Sequence, residues 1–202
     1  MATSINLEYP FAGRWLVQNS PADRVPSNGT TLFAQSYAID FVPLGDTGRT
    51  APVRFASLVR PEPPERFPGF GRPVLAPAHG VVLAVHDAEA DPRPALGRIQ
   101  ADSTPPGLGG LGCARRQPRA DRKSRIVVVL CHLRHRSVAV RPGQRVLAGD
   151  LLGRCGNSGN STEPHVHVQT IDNRDVEHAN SVPMTFGGCL PRSGEVITAQ
   201  SP

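Results

Sequence analysis

Two histidines separated by one residue, His165 and His167, are the side chains of this 202-residue sequence best placed to do chemistry. They lie in "EPHVHVQT", where they alternate with valines directly after the turn-forming segment "GNSGNST". Such alternation is typical of a β-strand, and side chains two apart on a strand share a face. We therefore expect both imidazoles on one face, where they suit a metal ion, or a ligand beside a proton-transfer group.

A carboxylate and a third imidazole stand in two other strand-like segments. Asp40 lies inside "SYAIDFV", and His132 follows the buried-type strand "IVVVL". Because a carboxylate within an apolar strand usually needs a strong partner, we expect a site role for Asp40. The alternative is that Asp40 only hydrogen-bonds a turn and that the histidines are structural.

Composition predicts an all-β protein. The chain contains 20 Gly and 21 Pro, and its apolar runs are short, which favours many short strands joined by turns. We expect a mainly antiparallel sheet, in a sandwich or distorted barrel. Residues 1–202 form one predicted domain. A Pro-, Gly- and charge-rich insert at about 87–125 is expected to be a surface excursion or partly disordered, and the tail from about 185 to be irregular.

Charge and targeting signals narrow the function classes. The net charge is +5, but no basic run is interleaved with aromatic residues, so there is no specific nucleic-acid signal. No apolar run is long enough to cross a membrane. The N-terminus has neither a basic start nor an apolar segment, and the four scattered cysteines are typical of reduced thiols. A cytoplasmic location is expected.

Four segments, in their order along the chain, resemble the lysostaphin-like (LytM-type) zinc metallopeptidases. They are "SYAIDFV", "GRPVLAPAHGVVLAV", "VVVLCHL" and "VRPGQRVLAGDLLGRCGNSGNSTEPHVHV". The resemblance runs from about Trp15 to Thr170, except for the insert. It implies that family's antiparallel fold, of the duplicated hybrid motif type, with a narrow groove. It also implies hydrolysis of peptide or amide bonds, on the cell-wall peptides that the family cuts outside the cytoplasm.

The same resemblance assigns roles to the chemistry-bearing residues. Asp40 and His167 take the positions of zinc ligands, and His165 and His132 take those of the catalytic pair. Zinc with two or three protein ligands keeps a position for water and lowers the pKa of that water toward about 7. A protonated imidazole can then help to stabilise the oxyanion that forms. Zinc is therefore the cofactor that the resemblance implies.

One ligand of the family pattern is absent. Where relatives have a segment like "SHGTH", this sequence has "SNGTT", which puts Asn28 and Thr31 at the expected histidine positions. Amide and hydroxyl oxygens are poor zinc ligands, so we expect a weakened metal site. Other residues were weighed as replacement ligands, and none is favoured: His79, His86, Cys131, His135, Cys155 and His178.

Three functions follow from these observations, and whether the protein is an enzyme stays open among them. The first is a zinc peptidase or amidase with a weakened or rearranged metal site. The second is a degenerate relative that binds a peptide or partner without hydrolysis. The third is a groove repurposed for other chemistry on an intracellular peptide or a small molecule. The N-terminal sequence favours the last two, whereas the retained Asp40 and histidines favour the first and third. The oligomeric state is not predicted.

Overall fold

The computed structural model describes residues 4–51, 62–88, 90, 91, 110–115 and 126–200. Twelve strands are present in these ranges: β1 (Ile5–Leu7), β2 (Gly13–Gln18), β3 (Ile39–Pro43), β4 (Pro73–Leu75), β5 (Gly80–Val85), β6 (Gly110–Arg115), β7 (Val127–Cys131), β8 (Arg145–Val146), β9 (Leu151–Arg154), β10 (Val166–Ile171), β11 (Met184–Phe186) and β12 (Val196–Ala199). The helical elements in them are 3-10 turns, at Leu32–Ala34 and Pro64–Arg66. The predicted all-β class is confirmed. Within the described ranges, no helix has the length and apolar character of a membrane span.

Eight strands form one antiparallel sheet in the order β12-β2-β3-β10-β7-β6-β5-β8. Two small ribbons accompany it, the parallel pair β1-β11 and the antiparallel pair β4-β9. Strand β10, which carries the histidine motif, therefore lies between β3 and β7. Since "SYAIDFV" and "VVVLC" are the segments that form these neighbours, the sheet brings the chemistry-bearing parts of the sequence together.

The three central strands are buried along their whole length, which explains the continuous apolar run of β7. Alternate residues of β10 face two different clusters. Val166 and Val168 pack into the main core, and Ile171 packs into a smaller cluster on the opposite face. His167 and Gln169 share the face of Ile171 because side chains two apart on a strand point the same way. The polar site therefore lies on the face of the sheet that is opposite the main core.

An aromatic group fills the main core behind the site. The rings of Phe11 and Trp15 stack with centroids 4.4 Å apart. Phe41, the residue after Asp40, meets Phe11 and Phe186 edge-on, at 4.9 and 5.2 Å. Burying each such side chain stabilises the fold by about 1.5–3 kcal/mol. This packing fixes one face of β3, and the side chain of Asp40 extends from the opposite face.

Two predictions of irregular structure are wrong in part. Within the insert at about 87–125, residues 110–115 form β6, which pairs with both β5 and β7 inside the large sheet. The sequence "GLGCAR" is poor in β-branched residues, so the strand depends on its neighbours and gives little local signal. Residues 92–109 and 116–125 lie outside the described residues. The tail also contains strands, since β11 pairs with β1 and β12 with β2.

Candidate active site

Asp40 and His167 form a buried pair at the centre of the sheet. They lie directly opposite each other in the register of β3 and β10. Each is only 5% exposed, and His167 Nδ1 lies 2.9 Å from Asp40 Oδ1. Directly opposed antiparallel residues place their side chains side by side. The pairing of the two strands therefore brings together residues that are 127 positions apart.

Asn19 holds the second oxygen of the same carboxylate. Its Nδ2 donates to Asp40 Oδ2 over 2.7 Å. Gln18, the last residue of β2, pairs with Asp40, so Asn19 leaves the strand exactly beside the site. Its φ of 49° lies in the left-handed region, which asparagine tolerates better than most residues do. Asn19 was not predicted as a site residue, because nothing in "WLVQNSP" indicates which strand lies next to it.

His165 approaches the pair from the turn before β10. Its Nδ1 is 2.7 Å from the carbonyl oxygen of Glu163 and 3.0 Å from Ser161 Oγ. Because a carbonyl oxygen only accepts, Nδ1 carries the proton in that hydrogen bond. The other ring nitrogen, Nε2, lies 3.8 Å from Asp40 Oδ1. One carboxylate oxygen thus faces two imidazoles.

His132 completes the cluster from the end of β7. Its φ of 63° is left-handed, which is uncommon for a residue other than glycine, and it turns the chain sharply after the strand. Its Nδ1 donates to the carbonyl oxygen of Ser158 over 2.8 Å, which leaves Nε2 as the nitrogen able to accept a proton. The His132 ring centroid lies 4.5 Å from that of His165 and 6.0 Å from that of His167.

The cluster separates the pKa values of its members. Burial opposes ionisation of Asp40, but the hydrogen bond from His167 and the charges of His167 and His165 hold its pKa below the ordinary 3.8. Burial likewise opposes charge on His167, whereas its hydrogen bond to Asp40 and the carboxylate charge raise its pKa above 6.5. Burial, followed by the charges of His165 and His167, lowers the pKa of His132 to about 3. His132 is therefore a neutral imidazole beside an Asp40–His167 ion pair.

Gln169 is a further residue of the site. Its Oε1 lies 2.9 Å from His167 Nε2, and its own Nε2 donates to the carbonyl oxygen of Phe33 over 2.9 Å. Gln169 was not among the predicted site residues, although the sequence contains the signal for it. Gln169 follows His167 by two residues, so the alternation that places the histidines on one face also places Gln169 there.

The donors of this cluster fit part of a zinc site. Imidazole and carboxylate are ordinary zinc ligands, and two ligands of tetrahedral zinc lie roughly 3.3 Å apart. The 2.9 Å between His167 Nδ1 and Asp40 Oδ1 would need to widen by only a few tenths of an ångström. However, no three His, Cys, Asp or Glu side chains in the described part of the chain are grouped so that they could hold a metal. Asp40 and His167 thus fit as two ligands, and a third is not supplied by those residue types.

The positions predicted for the missing ligand differ in environment. Thr31 is exposed, just before the 3-10 turn at Leu32–Ala34. Asn28 is half-buried, and its Oδ1 is a buried oxygen without a hydrogen-bond partner in the structure. An unpaired buried oxygen is costly, so this atom is the one of the two that would gain from a cation or a new donor.

The other residues weighed as replacement ligands have structural surroundings of their own. His79 Nδ1 accepts from the backbone of Ala148, and His178, 75% exposed, pairs with Asp175. The rest are grouped by burial: His86 is exposed, His135 is half-buried, and Cys131 and Cys155 are buried. Burial raises the pKa of the Cys131 thiol to about 12, with the Asp40 charge as a further cause. Cys131 is thus a protonated thiol, opposite His167 in the register of β7 and β10.

A cavity of about 490 Å³ lies at the end of β2, and neither Asp40 nor the three histidines line it. Its lining includes Gln18, Asn19 and Arg24 together with Leu16 and Val17. Asn19 lines this cavity and also bonds to Asp40, which connects the cavity wall with the site. Gln18 also contacts Glu163 across 3.3 Å, which connects the cavity wall with the turn that precedes His165.

The sequence of residues 117–179 matches the model of peptidase family M23. This segment contains His132, His165, His167 and Gln169, whereas Asp40 lies outside it. The match therefore covers about a third of the chain, and it supports the resemblance seen in the sequence and a metallopeptidase-type function.

Three of the solved structures that match this chain differ in how much of each chain the match covers. A putative peptidase M23 from Pseudomonas aeruginosa is 16% identical, with a TM-score of 0.43, over 91% of this chain and 50% of its own. Lysostaphin from Staphylococcus simulans is 17% identical, with a TM-score of 0.40, over 72% and 41%. The deep-sea M23 metalloprotease pseudoalterin is 14% identical, with a TM-score of 0.47, over 98% and 96%. This chain thus covers half the length of the first of these structures.

Proposed function

We propose that this site hydrolyses peptide or amide bonds with zinc held by Asp40 and His167. The observation that carries the proposal is the buried cross-strand pair of these two residues, with two further imidazoles beside it. Zinc would supply a water of lowered pKa and polarise the carbonyl group to be cut. Two protein ligands, with a third still to be assigned, are fewer than catalytic zinc sites ordinarily have, so weak zinc affinity is part of the proposal.

The neutral imidazole of His132 gives the site its proton acceptor. Its Nδ1 is fixed by the Ser158 carbonyl, so its Nε2 can take a proton from a water or hold it for the leaving amine. His165 is fixed in the same way by the Glu163 carbonyl, and its Nε2 faces Asp40. Protonated at Nε2, His165 would stabilise negative charge that develops on the carbonyl oxygen of the substrate.

The proposed substrate class follows from the sequence resemblance and from the chemistry of the site. A buried carboxylate beside three imidazoles suits the hydrolysis of a peptide or amide bond. Cell-wall-type cross-link peptides are the first substrates to test, because the four sequence blocks resemble enzymes that cut them. The cytoplasmic location stays a prediction, and intracellular peptides are therefore tested alongside.

A second candidate function is peptide binding without hydrolysis. It is favoured by the finding that no three metal-binding side chains of the usual types are grouped in the described residues. On this proposal the groove, the cavity and the histidines are retained for recognition, and Asn28 marks the position where a ligand has been lost. The two candidates predict different zinc contents and different responses to the restoration of a histidine.

The deciding experiment measures zinc content and peptide cleavage in protein purified without chelators. Hydrolysis predicts about one zinc per chain and cleavage that is abolished by Asp40→Ala. Protein with neither zinc nor cleavage would eliminate the zinc-peptidase function. Turnover of a small molecule that depends on His165, with no peptide cleavage, would instead show that the site has been repurposed.

A matched pair of variants tests whether the site is only one ligand short. Asn28→His replaces a side chain whose oxygen is buried and unpaired, whereas Thr31→His changes an exposed position three residues away. We expect Asn28→His to increase zinc affinity and cleavage and Thr31→His to leave both unchanged. If the native chain is inactive and Asn28→His gains zinc binding and cleavage, the native chain is a degenerate binding protein. Equal behaviour of the two variants would show that residue 28 is not the missing ligand position.

A further inference from the structure

Gln169 connects the histidine motif with the chain segment that precedes β3. The residue is only 3% exposed, and its side-chain amide lies between two groups. On one side His167 Nε2 is 2.9 Å from its Oε1, and on the other its Nε2 is 2.9 Å from the carbonyl oxygen of Phe33. Both ends of the amide are therefore hydrogen-bonded inside the protein.

The contact with Phe33 determines which way the amide of Gln169 points. A backbone carbonyl oxygen can only accept, so the NH₂ group of Gln169 must face Phe33 and its oxygen must face His167. That oxygen also only accepts. His167 Nε2 must therefore donate, which means that Nε2 carries a proton.

A fixed proton on Nε2 decides what the other ring nitrogen can do. In the Asp40–His167 ion pair, Nδ1 carries the second ring proton and donates it to Asp40 Oδ1 over 2.9 Å. Once that proton is lost, Nδ1 is the nitrogen with a lone pair, and it faces Asp40. Without an acceptor at position 169, a single ring proton would move to Nδ1, because the carboxylate of Asp40 would be its best acceptor. In that tautomer Nδ1 is blocked and the lone pair points away from Asp40.

We propose that Gln169 is a positioning residue that keeps the His167 ring protonated on Nε2 and so directs Nδ1 toward Asp40. The orientation of the ring does not depend on the proposed function. Its effect on metal binding does rest on that function, since a cation held by Asp40 and His167 would need the lone pair of Nδ1. A proton found between Nδ1 and Asp40 in the metal-free protein is released when such a cation binds.

Phe33 forms the far end of this chain of hydrogen bonds. Its φ is 55°, and that of Ala34 is also 55°, so two consecutive residues other than glycine adopt left-handed conformations. The carbonyl that orients Gln169 thus belongs to a tightly turned segment, five residues after Asn28. Gln169 therefore joins His167 to the part of the chain where the family pattern lacks its histidine.

Three variants separate positioning from a general effect of burial. Gln169→Met keeps the length of the side chain and removes the acceptor. Gln169→Glu keeps an acceptor oxygen for His167. Thr170→Val is the matched control, because Thr170 is fully buried on the opposite face of β10 and its hydroxyl donates to the Val182 carbonyl. Circular dichroism and thermal melting establish that each variant is folded.

The first measurement uses the metal-free protein and does not require activity. Long-range ¹H–¹⁵N correlation spectra report which nitrogens of the His167 ring carry protons. We expect a protonated Nε2 in the native chain, in Gln169→Glu and in Thr170→Val. In Gln169→Met we expect Nε2 to lose its proton. An unprotonated Nε2 in the native chain would overturn the proposal, and this result can be obtained even where Gln169→Met does not fold.

The second measurement is zinc affinity by competition with a chromophoric chelator. We expect Gln169→Met to weaken zinc binding by roughly 10–100-fold, as is typical when a partner of a ligating histidine is removed. Gln169→Glu should recover most of the loss, and Thr170→Val should change little. An unchanged affinity in Gln169→Met would contradict the proposal. If the native chain binds no zinc but its ring nitrogens behave as expected, the positioning role stands and the zinc-dependent function fails.

Discussion

His132 should make the protein less stable as the pH falls, and His132→Asn should remove this effect. The pKa of His132 is about 3 in the folded protein, and its ordinary value is 6.5. Between these pH values the unfolded chain binds a proton at residue 132 that the folded chain does not bind. Stability therefore decreases as the pH falls from about 6.5 toward 3.

The size of this effect follows from one proton. Each pH unit within the window lowers the free energy of unfolding by about 1.4 kcal/mol. At pH 5, about 1.5 units below the ordinary pKa, the penalty is about 2 kcal/mol. Asparagine is the appropriate replacement, because it tolerates the left-handed φ of 63° and its Nδ2 can donate to the Ser158 carbonyl as His132 Nδ1 does.

Urea unfolding between pH 5 and pH 8 measures the effect. Trp15 is the single tryptophan of the chain and is fully buried, so its fluorescence reports global unfolding. We expect the stability advantage of His132→Asn over the native chain to grow by about 2 kcal/mol between pH 7 and pH 5. His178→Asn, which removes an exposed histidine, is the control. Parallel pH profiles of the native chain and His132→Asn would refute the argument that His132 is kept neutral by burial.

Two further predictions concern the backbone and the carboxylate. In Gly156→Ala the new Cβ would lie 2.3 Å from the backbone N and Cα of Arg134, so we expect unfolding experiments to show a loss of more than about 3 kcal/mol. Gly29→Ala, where Cβ meets open space, should lose only about 1 kcal/mol, and equal losses would contradict this. Asn19→Gly keeps the left-handed conformation and removes the hydrogen bond to Asp40, so zinc affinity, measured by chelator competition, should fall roughly 10-fold. An unaltered affinity would show that Asn19 does not support the carboxylate.

The sequence predicts the central part of the fold because those strands carry strong local signals. A continuous apolar run identifies β7, and alternation identifies β3 in "SYAIDFV" and β10 in "HVHVQT". Strand β6 was missed because "GLGCAR" has little β-propensity of its own and forms by pairing with β5 and β7. Strands β11 and β12 were missed for a similar reason, since their partners, β1 and β2, lie at the other end of the chain.

The candidate site was predicted as a set of residue types rather than as a hydrogen-bond network. The sequence brings forward Asp40 and the three histidines because their motifs resemble a known family, and the structure brings all four together. It could not indicate Asn19, since the contact with Asp40 depends on the register of β2 against β3. The sequence also could not show that His132 and His165 each donate a hydrogen bond to a backbone carbonyl oxygen. The positions of those carbonyl groups are determined by the turns of the chain rather than by residue types.

The position of β10 between β3 and β7 has a consequence for hydrogen exchange at the site. At His167 the strand pairs with Asp40 of β3 on one side and with Cys131 of β7 on the other, so this part of the strand is not at a sheet edge. The backbone amides around His167 should therefore exchange their hydrogens with solvent at close to the rate of global unfolding. A ligand of this site would then bind and leave through movements of side chains, while the strand beneath them keeps its hydrogen bonds.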